Sequence, residues 1–282
     1  MTDAPSDADR LHAALEAVRG LVPYLRSVIG QVELAPPARG VPEDGVYVHC
    51  DALIGDPDFL RALIVHSGQQ IGTDDPVVAA SLFVQSYAYR ILTLAIACAT
   101  TYGVVPDSSA RSLAIALKSG RVSDVAYLEP RVRVVAIPGV PVSTSLVGEA
   151  GSAALFASVY ESALDGHLVP LVESVRQGIR VGERLLWGNV AASMAVGFRT
   201  MEGCLGEWVQ TLGAYFVEHA PGRLQGLGSY IAIEAGGRRG WFWERTNCCL
   251  YDRLPGRRRC ADCSRTETEI RRAAYVASLE GS

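Results

Sequence analysis

Four of the seven cysteines of this 282-residue chain fall within 16 residues. Cys248 and Cys249 are adjacent, ten residues follow, and Cys260 and Cys263 are separated by two. Thiolates this close together make a metal site, a redox pair or disulfides. Cys-x-x-Cys lets two thiolates face one metal across a tight turn and favours the first. The adjacent pair is the unusual part, because neighbouring side chains rarely chelate one small tetrahedral ion without backbone strain, and structural zinc sites space their ligands by two to four residues. Four thiolates are also the usual ligand set of an iron–sulfur cluster, which is a larger object. The spacing is neither the plant-type ferredoxin run nor the bacterial four-iron run. Structural zinc on four cysteines remains an alternative, as do sensor thiols.

The pattern Cys248-Cys249-x10-Cys260-x2-Cys263 resembles that of the FhuF-like ferric-siderophore reductases. The segment Leu185-Leu186-Trp187-Gly188-Asn189-Val190 resembles a Trp-Gly-Asn segment of the same family. The resemblance implies a 2Fe–2S cluster on Cys248, Cys249, Cys260 and Cys263. It also implies an oxidoreductase: one-electron reduction of a ferric siderophore, of hydroxamate type, releasing Fe(II) in the cytoplasm. Hydroxamates hold Fe(III) by hard oxygen donors and Fe(II) far more weakly, so one electron releases the metal without breaking the ligand. No acid–base or nucleophile motif is needed for that. The electron must come from outside, from a ferredoxin or a ferredoxin/NAD(P)H reductase system. The competing reading is a non-enzymatic, zinc-stabilised domain that binds a siderophore or another protein.

Charge is distributed unevenly around the cysteines. Residues 238–272 hold ten Arg, no Lys and five acids on a chain whose net charge is −4. Arg257, Arg258 and Arg259 are expected to dock an acidic electron donor. Trp241 and Trp243 read either as a packing wedge or as an aromatic wall beside the substrate. Trp187 and Asn189 are the candidate opposite wall, with Asn189 offering its amide to a hydroxamate oxygen. A ferric trihydroxamate is neutral or weakly cationic, so no basic pocket is expected on the substrate side.

The elements that must position these residues read as mainly helical. The composition, 49% hydrophobic and 20% charged, is that of a globular protein, and the net charge gives no pointer to nucleic acid. The first ten residues are acidic and polar, without the pattern of a signal peptide, so a cytoplasmic location is expected. Apolar periodicity predicts helices over 8–30, 57–66, 76–103, 145–164, 167–179, 182–205, 206–219 and 266–280. The run over 76–103 is expected to be a buried core helix and not a membrane span, because Arg90 splits it. A hairpin is expected over 113–128, with 131–137 as a third strand of one small antiparallel sheet. Ala35–Asp44 is a Pro/Gly-rich breaker, and Gly226 to Gly240 reads as a loop-rich approach to the cysteines. The expected fold class is α+β, with a domain over 1–235 and a cluster-binding lobe over 236–282 packed on it. No dinucleotide fingerprint or phosphate loop is present.

Overall fold

The computed structural model describes residues 4–35 and 41–281. Part of the expected breaker, residues 36–40, lies outside the described residues. α1 (Asp7–Leu21) opens on a capping box: Ser6 Oγ accepts the Asp9 N–H at 3.2 Å, and the Asp9 carboxylate accepts the Ser6 N–H at 3.1 Å. The helix expected to reach residue 30 stops at Leu21. Pro23 offers no N–H to the ladder and disfavours a helical residue before it. The chain instead extends into β1 (Arg26–Ile29).

After β2 (Tyr47–His49) and α2 (Cys50–Gly55), α3 (Pro57–Ile71) begins with Asp56 Oδ1 accepting from the Phe59 N–H at 3.0 Å. α4 (Pro76–Tyr102) begins the same way: Asp75 accepts from Val77 and Val78, and Pro76 stands in the first turn. α4 is long and apolar enough to cross a membrane, but most of it is buried inside the fold. This agrees with the core-helix expectation.

β3 (Val104–Pro106), β4 (Leu113–Lys118), β5 (Arg121–Tyr127) and β6 (Val132–Val134) follow. The β4–β5 hairpin is as expected, turning at Ser119 and Gly120 with φ of 50° and 72°. Its sheet is larger than the sequence suggested. The order is β1-β5-β4-β2, with β1 parallel to β5 and the other pairs antiparallel. The expected third strand belongs elsewhere: β6 pairs with β3 in a separate two-stranded sheet.

α5 (Val142–Val147) precedes α6 (Glu149–Val159) and α7 (Val169–Gly178). The expected break near Asp165-Gly166 is absent. A π-helical stretch, Tyr160–Leu168, carries the chain from one helix into the next. It points His167 into the core, where Nε2 is 2.6 Å from the Tyr87 hydroxyl and Nδ1 is 2.7 Å from the Ser108 carbonyl. A carbonyl only accepts, so Nδ1 carries the proton and Nε2 accepts from Tyr87. Burial lowers the His167 pKa to about 4, and the ring is neutral.

α8 (Glu183–Leu205) lies along α4 at the centre of the core. A Cβ on Gly197 would stand 3.1 Å from Ile96 and 3.2 Å from Thr93, so the missing side chain sets this close approach. α9 (Trp208–Glu218) follows. The stretch expected to be loop is a regular hairpin of β7 (Gly228–Ala235) and β8 (Arg238–Arg245), paired along their whole length. Gly236 and Gly237 make its turn with φ of 58° and 74°, the conformation of a two-residue hairpin turn. The expected domain boundary at 235/236 falls at this turn. α10 (Thr268–Glu280) packs on the hairpin's outer face, where Tyr275 stacks on Phe242 at 4.4 Å. The architecture is therefore mainly helical α+β.

Candidate metal centre and the cavity beside it

The cysteines hang from the end of β8. The Thr246 N–H still donates to the Leu227 carbonyl at 3.0 Å, and the chain then leaves the hairpin. Leu250 adopts φ +65°, an uncommon conformation for a residue with a branched side chain, and a 3-10 turn follows at Tyr251–Arg253. Cys260 and Cys263 close a turn of their own, with the Cys263 N–H on the Cys260 carbonyl at 3.1 Å. Cys249 and Cys263 are buried; Cys248 and Cys260 are half-buried.

Two of the four thiols are directly paired. Cys260 hydrogen-bonds Cys249. That bond, the Arg245 guanidinium and the Tyr251 N–H together lower the Cys249 thiol to about 6, while Cys260 is pushed up by donating to it. Cys248 is raised by burial and by the nearby Cys263. Its Sγ accepts the Leu250 N–H at 3.3 Å. Among the described residues, no three His, Cys, Asp or Glu side chains stand close enough together to hold a metal ion. Four thiols on one loop, one of them a ready thiolate and one with an amide hydrogen bond to its sulfur, are the donor set that an iron–sulfur cluster takes.

The segment Trp187-Gly188-Asn189 on α8 holds this loop in place. Asn189 is fully buried. Its Nδ2 donates to the Ser81 carbonyl at 2.7 Å and to Ser81 Oγ at 2.8 Å; that hydroxyl in turn donates to the Cys249 carbonyl at 2.8 Å. Asn189 Oδ1 accepts from Arg245 at 2.7 Å, and Arg245 Nε donates to the Asn247 carbonyl at 2.6 Å. Gly188 meets the Asn247 amide so closely that a Cβ would overlap it. The segment is thus a latch between α4, α8 and the cysteine loop, and the Asn189 amide is already engaged at both ends. Trp187 is buried, with Nε1 on Glu183 at 3.2 Å and Arg223 over its ring. Trp241 stacks on Tyr230 at 3.5 Å against Gly213, and Trp243 packs on Gly228. All three tryptophans wedge the hairpin and α8 into the helical body.

The space open to the cysteines lies elsewhere. A cavity of about 390 Å³ is bounded by α4, α8, the β4–β5 turn and the cysteine loop. Cys249 and Cys260 line it, with Tyr89, Arg90, Arg121, Ser193, Tyr251 and Asp262 among its walls. None of Trp187, Asn189, Trp241 and Trp243 lines it. The four residues expected as a substrate wall therefore stand apart from this cavity, because the two hairpin tryptophans and the latch face the interior. On the outer side of the loop, Arg257, Arg258 and Arg259 are exposed and line an open groove together with Cys260 and Ile270. Cys260 is common to both surfaces. A larger cavity of about 530 Å³, walled by β3, β6 and the π-helical stretch, holds no cysteine; Arg133 at its edge is paired with Glu161 at 2.7 Å.

A family described as ferric iron reductase FhuF-like transporter matches residues 81–223, just over half of the chain. The chain belongs to this FhuF-like family. The match takes in α8 and its latch, Ser81, and the helical walls of the cysteine-lined cavity; the four cysteines lie beyond it. No curated protein matches. Among solved structures, the ATP-bound aerobactin synthetase IucA from a hypervirulent pathotype of Klebsiella pneumoniae superposes with a TM-score of 0.52 at 12% identity, covering 81% of this chain and 44% of that one. Aerobactin synthetase IucC from the same source gives 0.47 at 16% identity, covering 77% and 44%. The chain thus spans less than half the length of either synthetase, and at such identity the likeness to IucA is one of fold.

Proposed function

We propose that this FhuF-like protein is a ferric-siderophore reductase acting in the cytoplasm, with a 2Fe–2S cluster on Cys248, Cys249, Cys260 and Cys263. The observation that carries this reading is the cavity onto which Cys249 and Cys260 open. Bound there, such a cluster supplies one electron at a time. The donor, a ferredoxin or a ferredoxin/NAD(P)H reductase system, loses one electron, Fe(III) in the chelate becomes Fe(II), and no ligand bond is cleaved. The chain's own residues divide the remaining work in three. The latch of Ser81, Asn189 and Arg245 fixes the loop against α4 and α8. The cavity walls seat the chelate, an oxygen-donor complex of the hydroxamate kind or a relative, beside Cys249 and Cys260. Arg257, Arg258 and Arg259 receive the donor in the outer groove, which the half-buried Cys260 also lines.

The test is anaerobic purification followed by metal and sulfide analysis. Visible absorption that bleaches with dithionite, two irons and two sulfides per chain, and oxidation of the reduced protein by a ferric siderophore are expected. Serine at each of the four cysteines removes the iron; serine at the isolated Cys50, Cys98 or Cys204 does not. A colourless protein with stoichiometric zinc would establish the zinc-stabilised binding domain instead.

A further inference from the structure

Three arginines line the cysteine-lined cavity, against one carboxylate, Asp262, and the thiols of Cys249 and Cys260. Arg245 is spent on Asn189 and Asn247. Arg90 is half-buried in the middle of α4. Its guanidinium is held by the carbonyls of Val122 (3.1 Å) and Tyr24, and it makes no ion pair among the described residues. The neighbouring carboxylate, Asp124, is taken by Arg26 at 3.0 Å. Arg121, across the cavity on β5, has neither an ion pair nor a side-chain hydrogen bond among the described residues. Carbonyls orient the Arg90 guanidinium but leave its charge uncompensated, and a partly buried cation is costly unless an anion completes it, whereas the exposed Arg121 is solvated and free to reach a ligand. A guanidinium fork is shaped for carboxylate-type oxygens. Tyr89 and Tyr251 stand on the same walls, with apolar Leu82 and Val196 between the charges.

Resting on the proposed reductase reading, we infer that the cavity selects ferric chelates with net negative charge, bearing carboxylate or catecholate oxygens, over neutral trihydroxamates, with Arg90 and Arg121 as the specificity-determining residues. This reverses the expectation that the substrate side needs no basic group.

Gallium(III) complexes test the charge preference apart from redox driving force, since gallium is not reduced. Calorimetry on the cluster-loaded protein would compare the gallium complexes of a neutral trihydroxamate, a carboxylate-bearing dihydroxamate and a tris-catecholate. At least one anionic complex is expected to bind about tenfold more tightly than the neutral one, the scale of one charge-assisted hydrogen bond. The two anionic arms tell carboxylate from catecholate recognition. Arg121→Gln should lower the anionic-to-neutral ratio by about tenfold and Arg121→Glu further. Arg90→Gln should do the same, and because Arg90 also ties α4 to Tyr24 and Val122, the exposed Arg121 decides if that variant fails to fold. Equal affinities, or a ratio unmoved by the Arg121 variants, would overturn the charge selection and leave the reductase reading standing. If no complex binds and no ferric counterpart is reduced, both fall.

Discussion

The helical body and the cysteine loop are held by different forces. Around α4 and α8 the contacts are apolar and close, set by small residues such as Gly197, and polar groups are few: Ser81, Asn189 and Ser193 are hydrogen-bonded, while Thr93 Oγ1 has no partner. The cysteine loop has little core of its own: Cys249, Leu254 and Cys263 are its buried members from 248 to 263. It is tied down by Asn189, Ser81 and Arg245. The body should therefore survive the loss of the loop, while the loop depends on a few directed bonds.

Breaking the latch should have the largest effect. Asn189→Ala removes the partner of a buried guanidinium and of Ser81 together, at a cost of about 3 kcal/mol. Hydrogen exchange should show residues 248–263 losing protection while α4 and α8 retain theirs, with iron retention falling in step. Gly188→Ala should act in the same direction through its clash with Asn247. Equal loss of protection in body and loop would show that the two are one cooperative unit.

The body has its own sensitive point, at His167. Its native pKa of about 4 lies below the ordinary 6.5, so the unfolded chain takes up the proton first as pH falls. Stability is complete above about pH 6.5 and declines toward pH 4, by up to about 1.4 kcal/mol per pH unit. Denaturant titrations at several pH values measure this slope; His167→Gln should flatten it while lowering stability at neutral pH.

The smallest effect is expected at the outer arginines, which are exposed. Gln at Arg257, Arg258 and Arg259 should leave stability within about 0.5 kcal/mol. It should slow reduction by an acidic ferredoxin at low salt, and the difference from wild type should vanish as salt rises. A rate that is flat in salt for both proteins would remove the donor from this face.

Much of the body was legible in the sequence, because long apolar periods with Asp-Pro starts are strong signals: α3, α4, α8 and α10 begin within about two residues of expectation. The β4–β5 hairpin was legible from Gly120 and its flanking apolar runs. The β7–β8 hairpin was not, because five glycines between 226 and 240 read as loop. The overlooked signal was Gly236-Gly237 between two eight-residue extended segments. β1 was absorbed into the first helix although Pro23 interrupts it. At the site, the spacing of the cysteines was visible, but Tyr89, Arg90 and Arg121 were not, since only the tertiary fold brings α4 and the β4–β5 turn to the cysteine loop. Asn189 stood out in the sequence as an offered amide, and in the fold that amide is engaged by Ser81 and Arg245, protein groups far away in sequence.

Cys260 borders both the inner cavity and the outer arginine groove. A carrier with one opening must let its first visitor leave before the second enters, so an excess of either visitor blocks the other. With two openings back to back at one side chain, donor and chelate are free to be resident together. Under the proposed function neither excess donor nor excess chelate should inhibit, and the reduced carrier need never stand exposed to oxygen while it waits for iron.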